Sequence, residues 1–196
     1  MALAPFLIYV IVNTFTPGPN NIMAMSNASR YGMKKSIRFL FGVATGFLLL
    51  MLLCCYFNLL LYSFVPKMKF VMNILGSLYM TYLAFKIMKS KPRRSDGDNH
   101  DHGKLNSFLS GMLLQFVNFK VILYGITAIS TFIMPFYKSN ISLLLFSMFL
   151  AFVGLVATSC WAVFGALFQK FLAAHEKKFN IFMGLLLIYS AITMHL

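Results

Sequence analysis

A single lysine, Lys120, lies in the middle of a long apolar stretch together with two side-chain amides, Gln115 and Asn118. These are the only charged or amide side chains between Phe108 and Met134. If the stretch is helical, each flank of Lys120 is about 18–21 Å long, because a helix rises about 1.5 Å per residue. A cation held that deep in a membrane usually marks a transport pathway or a binding site. We therefore predict that Lys120 faces an internal cavity; the alternative is an interfacial lysine at the foot of a span that begins later.

A second polar interruption divides the first apolar segment, and it consists of Thr16, Pro17, Gly18, Pro19, Asn20 and Asn21. Each proline removes a backbone donor, and the glycine admits conformations that other residues resist. Pro19 suits the first turn of a new half-helix, whose free N–H groups and partial positive charge would point into the break. Irregular backbone at membrane depth is tolerated only where it is buried in protein or lines a cavity. The run predicts a broken helix at a binding site; a simple kink is the alternative.

Two interruptions in equivalent spans are the best sequence indication of a transporter site. Together they would form a positive, donor-rich cavity suited to a carboxylate, while a substrate ammonium would meet the freed carbonyls near 17–19 or an aromatic ring such as Tyr124 or Trp161. No acidic residue lies in the apolar segments, so no metal site is predicted there. The predicted substrate-binding residues are Thr16, Pro17, Gly18, Pro19, Asn20, Asn21, Gln115, Asn118 and Lys120.

The composition places these residues in an all-α integral membrane protein. Sixty per cent of the residues are hydrophobic and 11% are charged, against about 25% charged in soluble domains. A bilayer requires helices of about 20 apolar residues. The six segments of that kind are Ala4–Met25, Phe39–Tyr62, Phe70–Met88, Phe108–Ile133, Ser142–Leu167 and Phe179–Met194.

The basic residues are distributed unequally between the two sides of these spans. One side carries Arg30, Lys34, Lys35, Arg38, Lys86, Lys89, Lys91, Arg93, Arg94, Lys104, Lys170, Lys177 and Lys178, and the other carries only Lys67, Lys69 and Lys138. The positive-inside rule predicts that the rich side is cytoplasmic and that both termini are extracytoplasmic. Positive charge distributed in this way indicates membrane orientation and membrane-lipid contact rather than nucleic-acid binding.

The chain divides into two halves of three spans each. Residues 1–88 form the first half, 89–107 a polar cytoplasmic linker rich in turn-forming residues, and 108–196 the second half. Because three is odd, a duplicated unit must insert upside down, which predicts two inverted three-helix repeats with a broken first helix in the first repeat. Small residues at matching places in spans two and five, Gly42 with Gly46 and Gly154 with Thr158, predict close helix packing.

These motifs resemble the LysE/RhtB family of bacterial amino-acid exporters. The run from Thr16 to Ile22 and the run from Leu114 to Lys120 carry the resemblance, which covers nearly the whole chain. Later segments, including Cys160-Trp161-Ala162, narrow it to the branch that exports cysteine and O-acetylserine. Many members have a proline where this chain has Phe119, so a milder break is expected in span four.

The resemblance implies secondary active, proton-driven export of small neutral amino acids from the bacterial inner membrane, by alternating access, with Lys120 as the coupling candidate. It implies no enzymatic activity and no cofactor, and it leaves a homodimer open. One alternative is a divalent metal-ion exporter, for which the tract from Asp96 to His102 would collect ions. The other is a thiol-redox carrier, although spans one and four contain no cysteine. Cys54, Cys55 and Cys160 are predicted to be buried hydrophobic residues.

Overall fold

The computed structural model describes residues 2–89, 103–168, 171 and 175–193, and within these residues the chain is helical with no strands. The α-helices are α1 (Leu3–Phe15), α2 (Pro19–Tyr31), α3 (Met33–Tyr56), α4 (Asn58–Met88), α5 (Phe108–Val117), α6 (Phe119–Thr127), α7 (Asn140–Leu167) and α8 (Glu176–Thr193). A 3-10 turn at Gly103–Asn106 precedes α5, and a π-helical segment at Ala128–Ile133 continues α6. Most of the predicted linker, including the tract from Asp96 to His102, lies outside the described residues.

Helices α3 and α7 are each long and apolar enough to cross a membrane alone. The pair formed by α5 and the helix from Phe119 to Ile133 is bent by 65° and supplies a third span if it is counted as one. Large apolar side chains such as Leu145 and Phe152 on α7 point away from the protein, as expected of a lipid-facing surface. The all-helical membrane architecture is thus supported, whereas six spans in two inverted repeats stay a prediction.

The predicted end of the second span, Tyr62, is wrong. Helix α3 ends at Tyr56, and a single residue, Phe57, separates it from α4. Helix α4 then continues past Pro66 without a loop, so the backbone of Lys67 and Lys69 is helical. Asn58 directly follows Phe57 and is the single polar residue at this place; residues 52–57 and 59–61 around it are apolar, which favoured one continuous span.

Glycines allow pairs of helices to pack backbone to backbone, as Gly42 and Gly46 predicted. A Cβ at Gly42 would collide with the main chain of Phe108, and a Cβ at Gly111 would collide with that of Phe39, so α3 and α5 are in direct main-chain contact. Gly165 brings α7 equally close to the carbonyl of Met25 on α2. These two contacts join α3 to α5 and α2 to α7.

The three cysteines are free, but only two of them follow the prediction of burial. Cys54 and Cys55 are buried, and Cys160 is exposed. The inward face of α7 carries Thr158 and Ala162. Cys160 is two residues from each, about 200° around the helix, and therefore lies on the outward face.

Candidate functional site

Both predicted interruptions are breaks in helices. Helix α1 ends at Phe15 and α2 begins at Pro19, with Gly18 extended (φ −165°, ψ 173°). Helix α5 ends at Val117 and α6 begins at Phe119, with a single extended residue, Asn118 (φ −86°, ψ 93°), between them. The second break is one residue long, against three residues at the first, and the chain bends there by 65° without a proline.

The ammonium group of Lys120 crosses from α6 to the end of α1. Its Nζ donates to the Thr16 hydroxyl at 2.7 Å and to the Thr16 carbonyl at 3.1 Å, with a long contact of 3.5 Å to the Pro17 carbonyl. A helix C-terminus carries partial negative charge and unpaired carbonyls. Lys120 therefore serves as a cationic cap that joins the two broken helices.

A cluster of three amides joins the same two breaks on the other side. Asn20 Nδ2 donates to Gln115 Oε1 at 2.8 Å, and Asn20 Oδ1 accepts from Gln115 Nε2 and from Asn118 Nδ2, each at 3.2 Å. Gln115 Nε2 also donates to the Gly111 carbonyl at 2.9 Å, and the Gln115 side chain is 0% exposed. The cluster links the first turn of α2 to α5 and to the start of α6.

The two breaks border one cavity of about 380 Å³, a volume that includes the part open to solvent. Its lining residues are Asn13, Thr14, Gly18, Asn20, Asn21, Phe47, Asn118, Lys120, Val121, Tyr124, Gly154 and Thr158. They come from α1, α2, α3, α6, α7 and the two breaks, with α5 contributing none of them. Asn20 and Asn21 belong to the first turn of α2, so the cavity lies between that turn, α1 and α6, and the amide cluster lies at its edge.

Two buried polar atoms in the cavity wall have no hydrogen-bond partner among the residues that the structure describes. They are Asn118 Oδ1 and the Tyr124 hydroxyl, on side chains that are 2% and 3% exposed. An unpaired buried polar group destabilises the protein by about 1–3 kcal/mol. Both atoms are therefore positioned to bind a polar solute in the cavity.

The cavity has a positive electrostatic character. The first amides of α2 and α6 have no carbonyl one turn earlier to bind, and each helix begins at the cavity. Two helix N-termini and the Lys120 ammonium therefore add their positive charge at one place. This arrangement favours a carboxylate and disfavours a metal cation.

The predicted site residues lie together, though they occupy different places. Gly18, Asn20, Asn21, Asn118 and Lys120 line the cavity. Thr16 and Pro17 hold Lys120 through oxygen atoms, Gln115 anchors the amide cluster behind the wall, and Pro19 is the first residue of α2.

Six lining residues were not predicted from the sequence, namely Asn13, Thr14, Phe47, Val121, Gly154 and Thr158, and Tyr124 was named without a location. One signal was available for Tyr124, which follows Lys120 by four residues and so lies on the same face of a helix. Gly154 and Thr158 were recognised as a packing stripe but not as a cavity wall. Residues on α1 and α3 gave no signal, because their approach depends on how the helices pack.

The binding of a substrate ammonium by freed carbonyls near 17–19, or by an aromatic ring, stays a prediction. Protein donors occupy the carbonyls just before that run: Asn21 Nδ2 donates to the Thr14 and Thr16 carbonyls at 2.8 and 3.0 Å. The indole of Trp161 donates to the Phe15 carbonyl at 3.1 Å, which places the second candidate ring beside the end of α1. Among the described residues, Asn118 Oδ1 is a buried acceptor in the wall without a partner.

Comparison with known proteins agrees with the motif resemblance. The family model described as "LysE type translocator" matches residues 11–196. A protein of Escherichia coli O139:H28 named cysteine/O-acetylserine efflux protein is 40% identical over 97% of this chain and 95% of its own length. Proteins of the same name from Escherichia coli K12 and Klebsiella pneumoniae are 39% and 36% identical over the same shares. No solved structure gives a significant match.

Proposed function

The chain belongs to the family of LysE-type translocators, and from that premise we propose that it exports cysteine and O-acetylserine from the cytoplasm. It is a transporter and not an enzyme, located in the bacterial inner membrane with several helices crossing the bilayer. The names of its relatives suggest the two substrates. The single observation that most directly supports a substrate with a carboxylate, as both of these have, is the cavity where Lys120 and two helix N-termini meet.

Lys120 is the group that we assign to the substrate carboxylate. An ammonium has three donors, and its contacts here are two short ones to Thr16 and a long one of 3.5 Å to Pro17. A carboxylate would replace the long contact with a charge-assisted hydrogen bond of about 2.7–2.9 Å. The cap on α1 would remain in place while the substrate binds.

Asn118 Oδ1 is the group that we assign to the substrate ammonium. The Asn118 amide already donates through Nδ2 to Asn20, and its oxygen is a buried acceptor without a partner among the described residues. A neutral amino acid carries its two charges on groups attached to the same carbon atom, and Asn118 and Lys120 line the same cavity. A carboxylate site and an acceptor close together therefore suit an amino-acid backbone.

Alternating access follows from this arrangement if the two halves are inverted repeats. Under the predicted topology α5 and α2 lie on the cytoplasmic side of the breaks, where glycine contacts hold them tightly to α3 and α7. Most of the cavity lining comes from α1, α6 and the breaks, which this topology places away from the cytoplasm, so we propose that this conformation is closed to the cytoplasm. Opening inward would require separation of the amide pair formed by Asn20 and Gln115. We propose that proton exchange at Lys120 couples this change to the proton gradient.

The rival functions find less support in the cavity wall. A divalent metal ion would be repelled by Lys120, and metal transport favours carboxylate, imidazole or thiolate ligands; the lining residues include none of these side chains. A thiol-redox carrier would require reactive cysteines at the breaks. Cys54 and Cys55 lie instead on α3, away from the lining.

Reconstitution in liposomes tests the proposal. Proteoliposomes with the purified chain should transport labelled cysteine and O-acetylserine, and faster when a pH gradient is imposed. Labelled lysine is the control substrate, since its second cation has no acid among the lining residues to bind. If correctly inserted protein transports neither compound, the substrate assignment is refuted. Equal transport rates with and without the pH gradient would refute proton coupling.

A further inference from the structure

We propose that the Tyr124 hydroxyl reads the substrate side chain and selects for O-acetylserine by donating a hydrogen bond to its ester carbonyl. The inference rests on the proposed function, because it assumes a substrate whose carboxylate is bound at Lys120. It extends that function by assigning recognition of the variable part of the substrate to one residue.

Tyr124 is 3% exposed and lines the cavity, yet its hydroxyl has no hydrogen-bond partner among the described residues. A phenylalanine would provide the same ring without an unpaired buried donor, and so would stabilise the fold better. The hydroxyl is therefore better explained by a ligand than by packing.

The ring of Tyr124 is held in place by its neighbours. Tyr9 stacks on Tyr124 with ring centres 5.7 Å apart and planes 4° from parallel, and Phe47 packs at an angle of 57° with the same separation. The next residue, Gly125, packs against Met51 and Cys54 without room for a Cβ. The direction of the hydroxyl is thus determined by its surroundings before any substrate arrives, which reduces the entropy lost on binding.

Tyr124 and Lys120 lie close together on α6. The two residues are four apart, so their Cα atoms lie on one face about 6 Å apart along the axis, and both residues line the cavity. A substrate whose carboxylate is at Lys120 would extend its side chain along this face. The path from its Cα to an ester carbonyl oxygen is four bonds, which covers a comparable distance.

The chemistry of the two substrates differs at this point. O-acetylserine ends in an ester, whose carbonyl is a good acceptor for a phenol. Cysteine is shorter and ends in a thiol, which is only a weak donor and acceptor. Tyr124 should therefore contribute to binding of O-acetylserine and contribute little to binding of cysteine.

The test compares Tyr124→Phe with the wild type in proteoliposomes, using labelled cysteine as the transported compound and unlabelled competitors. The competitors are O-acetylserine and O-ethylserine, an ether that lacks the carbonyl. In the wild type, O-acetylserine should compete better than O-ethylserine. In Tyr124→Phe the apparent affinity for O-acetylserine should fall about five- to tenfold, toward that of the ether. A neutral hydrogen bond of about 1–1.5 kcal/mol corresponds to this change.

Tyr9→Phe is the matched control, because Tyr9 forms the other half of the ring stack and is absent from the cavity lining. Its hydroxyl bonds to Thr127 instead, and its removal should leave the ratio of the two competitors unchanged. If Tyr124→Phe lowers the apparent affinities of both competitors equally, or lowers neither, the ratio of the two affinities is unchanged and the inference is wrong. A wild-type protein that transports neither compound would instead overturn the proposed function.

Discussion

Lys120 combines a structural role with a candidate role in transport. It is the second residue of α6, a place where a cation is unfavourable because a helix N-terminus already carries positive charge. Its side chain leaves that helix and binds oxygen atoms at the C-terminal end of α1, where a cation is favourable. One residue thereby ties both breaks together and still offers its charge to the cavity.

Replacing Lys120 by methionine should leave the protein folded and inserted. The lost charge-assisted hydrogen bonds to Thr16 are worth about 1.5–3 kcal/mol each, and relief from burying a cation returns about 2.5–3.5 kcal/mol, so the two effects partly offset each other. Transport should fall at least about 25-fold, because loss of one partner from a buried charge pair costs about 2 kcal/mol or more. Uptake into proteoliposomes and thermal unfolding in detergent are the two measurements.

Two further variants separate the roles of this lysine. Thr16→Val removes the shortest contact to Lys120 while keeping the charge, and should retain most of the transport. Lys120→Arg keeps the charge but does not release a proton in the working pH range, and should bind substrate without gradient-driven turnover. Normal gradient-driven export by Lys120→Met would show that the lysine has neither role.

At the scale of the helices, the two breaks have different origins and the same result. The first uses Pro17, Gly18 and Pro19, residues that interrupt a helix by their own chemistry. The second has no such residue, and the chain leaves the helix at Asn118, whose amide is bound to Asn20 on the other break. We infer that tertiary contacts maintain the second break.

Close packing of α3 on α5 should be sensitive to a single methyl group. Gly42→Ala would place a Cβ against the main chain of Phe108, which cannot move without shifting the helix, and overpacking of this kind destabilises by about 1–3 kcal/mol. Gly154→Ala is the matched control, since its Cβ would meet only the Phe47 ring at 3.2 Å. The melting temperature in detergent should be lower for Gly42→Ala than for the control. Equal melting temperatures would contradict the inferred main-chain contact.

At the scale of the whole molecule, the unequal distribution of basic residues should set the orientation. Arg30, Lys34, Lys35 and Arg38 lie at the end of α2 and the start of α3, and Lys177 and Lys178 lie at the start of α8. A topology reporter fused after Leu196 should therefore give an extracytoplasmic signal, and one inserted near Gly32 a cytoplasmic one. A cytoplasmic signal from the C-terminal fusion would show that the number of spans or the orientation is wrong.

Composition and motifs were sufficient to determine the membrane class, the family, the first break and most of the polar residues around the cavity. Each of these is a local property: apolar length, proline and glycine chemistry, or an amide or lysine where apolar residues are expected. They are visible in the sequence because a charged or helix-breaking residue inside a membrane is unfavourable wherever it is placed.

The tertiary structure alone decided how these residues are connected. It paired Lys120 with the end of α1, placed protein donors on the carbonyls of Thr14, Phe15 and Thr16, and left Asn118 and Tyr124 with polar atoms that have no partner among the described residues. It also ended α3 at Tyr56 and began α4 at Asn58, inside a segment that the sequence predicted as one span. Such features depend on residues about 100 positions apart or on a turn of one residue inside a largely apolar segment. A sequence shows which groups need partners, whereas only the packing of the helices determines which partners they find.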